Sequence, residues 1–126
     1  MINFEEVLAI HSRVIKEFGG SDGIRNKALV EAAINRPFQT FDGQEFYPSA
    51  IEKATAVLES ILNNHPFVDG NKRTGYVLMR LLLLKNGYDI KASQTHKYEM
   101  VICVAKGECK FDEIKNWLTK NCYKLG

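Results

Sequence analysis

The chain has 126 residues, 45% hydrophobic and 25% charged, which is the size and make-up of one globular domain around one core. A formal charge of +2 is too small to draw nucleic acid by field alone. No apolar run reaches membrane-spanning length, since the longest, Tyr76 to Leu84, is interrupted by Arg80.

The N-terminus, Met1-Ile2-Asn3-Phe4-Glu5-Glu6, has neither a basic region nor an apolar signal segment, so a cytoplasmic protein is expected. Phe4, Val7, Leu8, His11, Val14, Ile15 and Phe18 then recur at helical spacing until Gly19-Gly20 stops the run. His11 lies on that apolar stripe and reads as a hydrogen-bonded core residue. A shorter helix is predicted from about Asn26 to Asn35, with Leu29, Val30, Ala33 and Ile34 inward and Pro37 ending it. Arg36 to Tyr47 loses the period. Phe38, Phe41 and Phe46 surround Asp42-Gly43, a hairpin-turn dipeptide, which predicts an aromatic flap whose rings are either core or a docking surface.

Pro48 opens the next helix, lined by Ala50, Ile51, Ala54, Leu58, Ile61 and Leu62 and ending near Asn63-Asn64. After a short loop a helix runs from about Asn71 to Asn86. It is apolar nearly all round from Tyr76 to Leu84, which suits the centre of a bundle. Gly87 caps it. Thr95 can cap a helix of Tyr98, Val101, Ile102 and Ala105, and a last helix carries Phe111, Ile114, Trp117 and Leu118, with a frayed or solvated tail beyond. The pattern is all-α within one domain, 1–126. Cys103, Cys109 and Cys122 are odd in number and lack Cys-x-x-Cys spacing, so three reduced thiols are expected.

The loop His65-Pro66-Phe67-Val68-Asp69-Gly70-Asn71-Lys72-Arg73 concentrates the chemistry. Gly70, Asn71 and Lys72 fall in the first turn of the following helix, where backbone N–H groups lack partners and the dipole adds positive potential, a setting that binds anions. Gly70 permits close approach of an oxyanion, Arg73 can grip phosphate with two donors, and Lys72 adds a mobile charge. Asp69 can hold magnesium that bridges phosphates. His65 can take a proton from an attacking hydroxyl, a contribution of roughly 10² to 10⁴ in rate. Taken singly, Asp69 also reads as a helix N-cap and His65 as a dipole-favoured helix end. A plain loop, however, has no need of an anion hole, two cations, an acid and a base together. Phe67 and Val68 read as core anchors.

These nine residues resemble the signature of the Fic/Doc family, His-x-Phe-x-(Asp/Glu)-(Gly/Ala)-Asn-(Gly/Lys)-Arg, supplied here by His65, Phe67, Asp69, Gly70, Asn71, Lys72 and Arg73. Gly19-Gly20, Asp22-Gly23-Ile24-Arg25, Arg36-Pro37, the flap and Pro48 extend the likeness to the short Doc-type (death-on-curing) toxins over nearly the whole chain. The resemblance implies a compact bundle of about six helices with a small β-hairpin flap. It implies His65 as the base for a target hydroxyl, Asp69 on magnesium, and Gly70, Asn71, Lys72 and Arg73 around the phosphates of ATP. The flap, with Phe38, Phe41 and Phe46, would dock a target peptide by strand addition.

Most Fic members transfer AMP to a protein, whereas Doc is a kinase that phosphorylates elongation factor Tu, stops translation and is restrained by a partner, Phd. Lys72 matches Doc, while Gly70 matches the AMP-transferring members. A lysine at 72 intrudes where an α-phosphate must sit, which favours binding with the γ-phosphate forward and hence phosphate transfer. The self-inhibiting Ser/Thr-x-x-x-Glu-Gly/Asn helix of many Fic proteins has no counterpart, because Thr55 to Glu59 has the spacing but Ser60 follows on a core helix. A separate Phd-like antitoxin is therefore expected, and Lys110, Lys115, Lys120 and Lys124 are either a solvated face or a contact to an acidic partner. Partners are a protein target and an antitoxin, with neither nucleic acid nor membrane. The alternatives are AMP transfer on the same scaffold and a non-catalytic nucleotide- or partner-binding module.

Overall fold

The computed structural model describes residues 1–126. Six helices form the bundle: α1 (Phe4–Phe18), α2 (Lys27–Asn35), α3 (Ala50–Asn64), α4 (Asn71–Lys85), α5 (Gln94–Ala105) and α6 (Phe111–Asn121). Local chemistry sets their starts. Asn3 and Glu6 form a reciprocal capping box on α1, and the side chains of Asn26, Ser49 and Ser93 cap α2, α3 and α5. Pro48 thus precedes the cap of α3 rather than sitting in its first turn, and Ser93, not Thr95, starts α5.

The core centres on α3 against α4. Leu58, Ile61 and Leu62 of α3 and Leu78, Met79, Leu82 and Leu83 of α4 are all buried. Gly75 lets the two helices close up, because a Cβ there would lie 3.2 Å from Ile61 Cγ2. Truncating one of these leucines to alanine costs about 2–5 kcal/mol. The expectation that α4 is enclosed on all sides is corrected. Arg73, Val77, Arg80 and Leu84 recur at spacings of four, three and four, and form an exposed strip, with Val77 and Leu84 more than a third exposed.

Two small antiparallel pairs complete the fold. Thr40–Phe41 (β1) pairs with Gln44–Glu45 (β2), which is the expected flap. Tyr88–Ile90 (β3) pairs with Cys122–Lys124 (β4), so the tail, expected to be frayed or solvated, is tied down with Tyr123 and Lys124 still exposed. The Arg80 guanidinium grips Asp89 through two bonds of 2.9 and 3.1 Å beside this pair, and holds its carboxyl down at about 2.

The thiol expectation is also corrected. Cys103 and Cys109 are joined as a disulfide, with Cα atoms 5.3 Å apart, and only Cys122 is free. The cause is the α5–α6 turn, in which the backbone N–H groups of Glu108 and Cys109 both donate to the Cys103 carbonyl and fold the chain back on itself. No helix is long and apolar enough to cross a membrane.

Candidate active site

His65 ends α3 in the left-handed conformation, at φ 46 and ψ 60, and its N–H donates to the Ile61 carbonyl at 3.1 Å. A non-glycine residue held there costs about 1–3 kcal/mol and persists only where surroundings over-determine it. Here the surroundings are the connector between α1 and α2. Arg25 Nε donates to the His65 carbonyl at 2.7 Å, and its Nη2 donates to that of Asn64. A cation thus satisfies the last carbonyls of α3, at the negative end of its dipole. The N–H groups of Arg25 and Asn26 both donate to the Pro66 carbonyl, at 2.8 and 3.0 Å. Val68 N–H donates to Gly23 O at 3.0 Å, and Ile24 bridges Phe67. With its backbone held this way, the imidazole of His65 is left exposed to solvent.

Phe67 is the buried anchor of the loop, 1% exposed. His11 stacks on it with centroids 4.1 Å apart and planes 9° from parallel, and the His11 Nε2 lies 2.7 Å from the Asp69 carbonyl. Asn71 closes the loop from the other side. Its Oδ1 accepts from Phe67 N–H and its Nδ2 donates to Phe67 O, each at 3.0 Å. The Asn71 amide, expected at the phosphates, therefore works inside the loop. Val68, expected as a core anchor, is exposed at 55%.

Asp69 is exposed. Its carboxylate accepts from Gly70 N–H at 2.8 Å and Ser21 N–H at 3.2 Å, which together hold its carboxyl below the ordinary 3.8, with the Gly70 bond the larger cause. Gly20 is required here, because a Cβ on it would lie 2.5 Å from Asp69 Oδ2. Gly70 occupies the N-cap of α4 at φ 74 and no side chain caps the helix, so its first-turn N–H groups stay open to an anion. Lys72 and Arg73 are both exposed at this end, and Arg73 lies 4.2 Å over the Phe18 ring.

Beside Lys72 and Arg73 opens a cleft of about 420 Å³, walled by Tyr76, Tyr98 and Val101 and edged by Lys97. The Tyr76 hydroxyl is buried without a partner, and burial raises its pKa. For magnesium, no cluster of three or more His, Cys, Asp or Glu side chains forms a cage. One exposed, ionised carboxylate beside an anion site does fit the usual manner of holding magnesium, by one or two carboxylates plus phosphate oxygens.

The flap divides its three aromatics. Phe38 packs against the core, so it is not part of a displayed surface, while Phe41 and Phe46 are 74% and 57% exposed. Two cations moor its base. Lys53 Nζ donates to Glu45 at 2.8 Å and to the Tyr47 carbonyl, and Arg36 reaches the Tyr47 hydroxyl at 3.0 Å and Glu59 at 2.9 Å.

The structure places His65 at the C-cap of α3, Gly70 at the N-cap of α4, Asp69 just before it, and Lys72 and Arg73 in the first turn of α4. Sequence reasoning missed the supports, namely Gly20, Ser21 and His11. The connector residues Asp22 to Arg25 entered only through the family likeness, and the loop residues they bond lie about forty residues away.

Comparison with known proteins accords with this geometry. The Fic/DOC family model matches residues 1–83. The chain is 36% identical over 99 residues to Toxin Doc of Mycolicibacterium smegmatis, covering 77% of this chain and 76% of that protein. It is 28% identical over 119 residues to Protein kinase doc of Escherichia phage P1, covering 94% and 93%. It is 28% identical over 115 residues to Protein adenylyltransferase Fic of Drosophila willistoni, covering 77% of this chain but 23% of that protein.

Proposed function

The chain belongs to the Fic/DOC family, and from that premise we propose that it is a Doc-type toxin that transfers the γ-phosphate of ATP to a hydroxyl of a protein target. Elongation factor Tu is the expected target, with arrest of translation the outcome. The observation that carries this reading is the exposed His65, its backbone carbonyl held by Arg25, in the loop that leads into an uncapped helix end bearing Lys72.

The chemistry follows from the residues. His65 takes the proton of a Ser, Thr or Tyr hydroxyl, and that oxygen attacks the γ-phosphorus while the bond to the bridging oxygen breaks and ADP leaves. The open N–H groups of α4, Lys72 and Arg73 carry the phosphate charge before and during transfer. Asp69 would hold magnesium, which supplies further neutralisation of the phosphate oxygens. The cleft of about 420 Å³ beside Lys72 would receive the nucleoside between its tyrosines. Phe41 and Phe46 on the flap edge would take the target strand. Restraint would come from a separate Phd-like antitoxin in the cytoplasm.

AMP transfer is the second reading. Gly70 and the likeness to the Drosophila adenylyltransferase support it, and Lys72 and the two Doc relatives support phosphate transfer. Incubating the protein with ATP, magnesium and a bacterial lysate, followed by mass spectrometry of the lysate proteins, separates them. A phosphate increment is expected, and an AMP increment would establish the second reading. No increment, with undiminished toxicity in His65→Ala, would leave only a binding module.

A further inference from the structure

We propose that His11 is a positioning residue for the transfer reaction, setting where Asp69 and His65 stand rather than touching substrate; this rests on the transferase reading above. His11 is 2% exposed and belongs to α1, fifty-eight residues from its partner. A buried histidine in a core commonly needs one hydrogen bond, and here that bond reaches the backbone of Asp69: its carbonyl can only accept, so Nε2 carries the proton. The ring face is used as well, stacked on Phe67, while Nδ1 looks toward the Asp22 carboxylate at 3.5 Å. Two adjacent points of the loop, a side chain at 67 and a carbonyl at 69, are thus referred to one rigid ring.

The consequence is specific. The side chains of Lys72 and Arg73 and the N–H groups beyond Gly70 lie further along α4, past the peptide that His11 holds. The Asp69 carboxylate and the His65 imidazole belong to the loop that His11 fixes. Loss of the His11 bond should therefore harm the chemical step more than it harms ATP binding.

The test uses the full chain. His11→Phe keeps a ring against Phe67 and removes the donor, whereas His11→Gln keeps a donor and removes the ring. In His11→Phe the apparent kcat should fall about tenfold, with KM for ATP within about twofold of wild type. Amide hydrogen exchange at Val68 and Gly70 should quicken about tenfold, well beyond any change at the buried amides of α3. His11→Gln should recover most of both. Wild-type kcat and wild-type loop exchange in His11→Phe would overturn the proposal, as would His11→Gln no better than His11→Phe. If the wild-type protein transfers nothing, the transferase reading fails by itself, and the exchange measurement still decides whether His11 holds the loop.

Discussion

The loop 65–70 and the flap are built on opposite plans. Residues 65–70 are tied by backbone bonds to the α1–α2 connector, by Asn71 to themselves and by His11 to α1, although several of their side chains are exposed. The flap is two strands of two residues whose tip touches little, and its moorings, Arg36 and Lys53, lie only at the base. A reacting group gains from being fixed to within a fraction of an ångström, whereas a surface that receives a foreign strand needs an open edge and exposed apolar rings. A fixed loop and a freer hairpin would suit the proposed transfer to a protein target.

The sharpest way to break this contrast is at the left-handed residue of the loop. His65→Gly should lower transfer by about 10² to 10⁴. The same change should raise stability by about 1 kcal/mol, because glycine takes the left-handed conformation freely. Denaturant unfolding beside the activity assay checks both. A loss of stability would mean that the residue is not strained.

Arg25→Ala comes next. It strips the last carbonyls of α3 of their cation, with an expected loss of about 1–2 kcal/mol in unfolding and about tenfold in kcat. Phe41→Ala with Phe46→Ala should leave stability and kcat nearly unchanged while raising KM for the protein target about tenfold. A fall in kcat at saturating target would show that the flap takes part in the chemistry after all.

The smallest effect is electrostatic. The Asp69 carboxyl is depressed in the folded state, so its contribution to stability is fully present above its unfolded value near 3.8 and is lost as pH falls through the lower folded value. Asp69→Asn should therefore be less stable than wild type at pH 6, and the difference should shrink toward nothing in strong acid. A gap that persists unchanged at pH 2 would mean that hydrogen bonding of the neutral carboxyl, not its charge, holds the loop.

The motif was legible in the sequence because its residues are contiguous and sit against a helix start. His11 was legible as a core residue, since it interrupts an apolar stripe, but not as a support, since its partner lies on another element. The connector Gly20 to Arg25 offers glycines and polar residues that signal a turn in any protein, and nothing local says that the turn will wrap a loop forty residues on. The β3–β4 pair was hidden for the same reason, as three residues of a polar tail pair with a segment about thirty residues earlier. The flap hairpin was visible through Asp42-Gly43, whereas its division into half-buried Phe38 and exposed Phe41 and Phe46 depended on where α3 and its Lys53 lie.

The central claim, that this loop moves a phosphoryl group from ATP to protein, is tested most directly by label. ATP carrying radioactive phosphorus at the γ position should mark a lysate protein in the presence of the wild-type chain and not of His65→Ala, while ATP labelled at the α position should mark none. Labelling from neither position, or equal labelling by His65→Ala, would contradict the account.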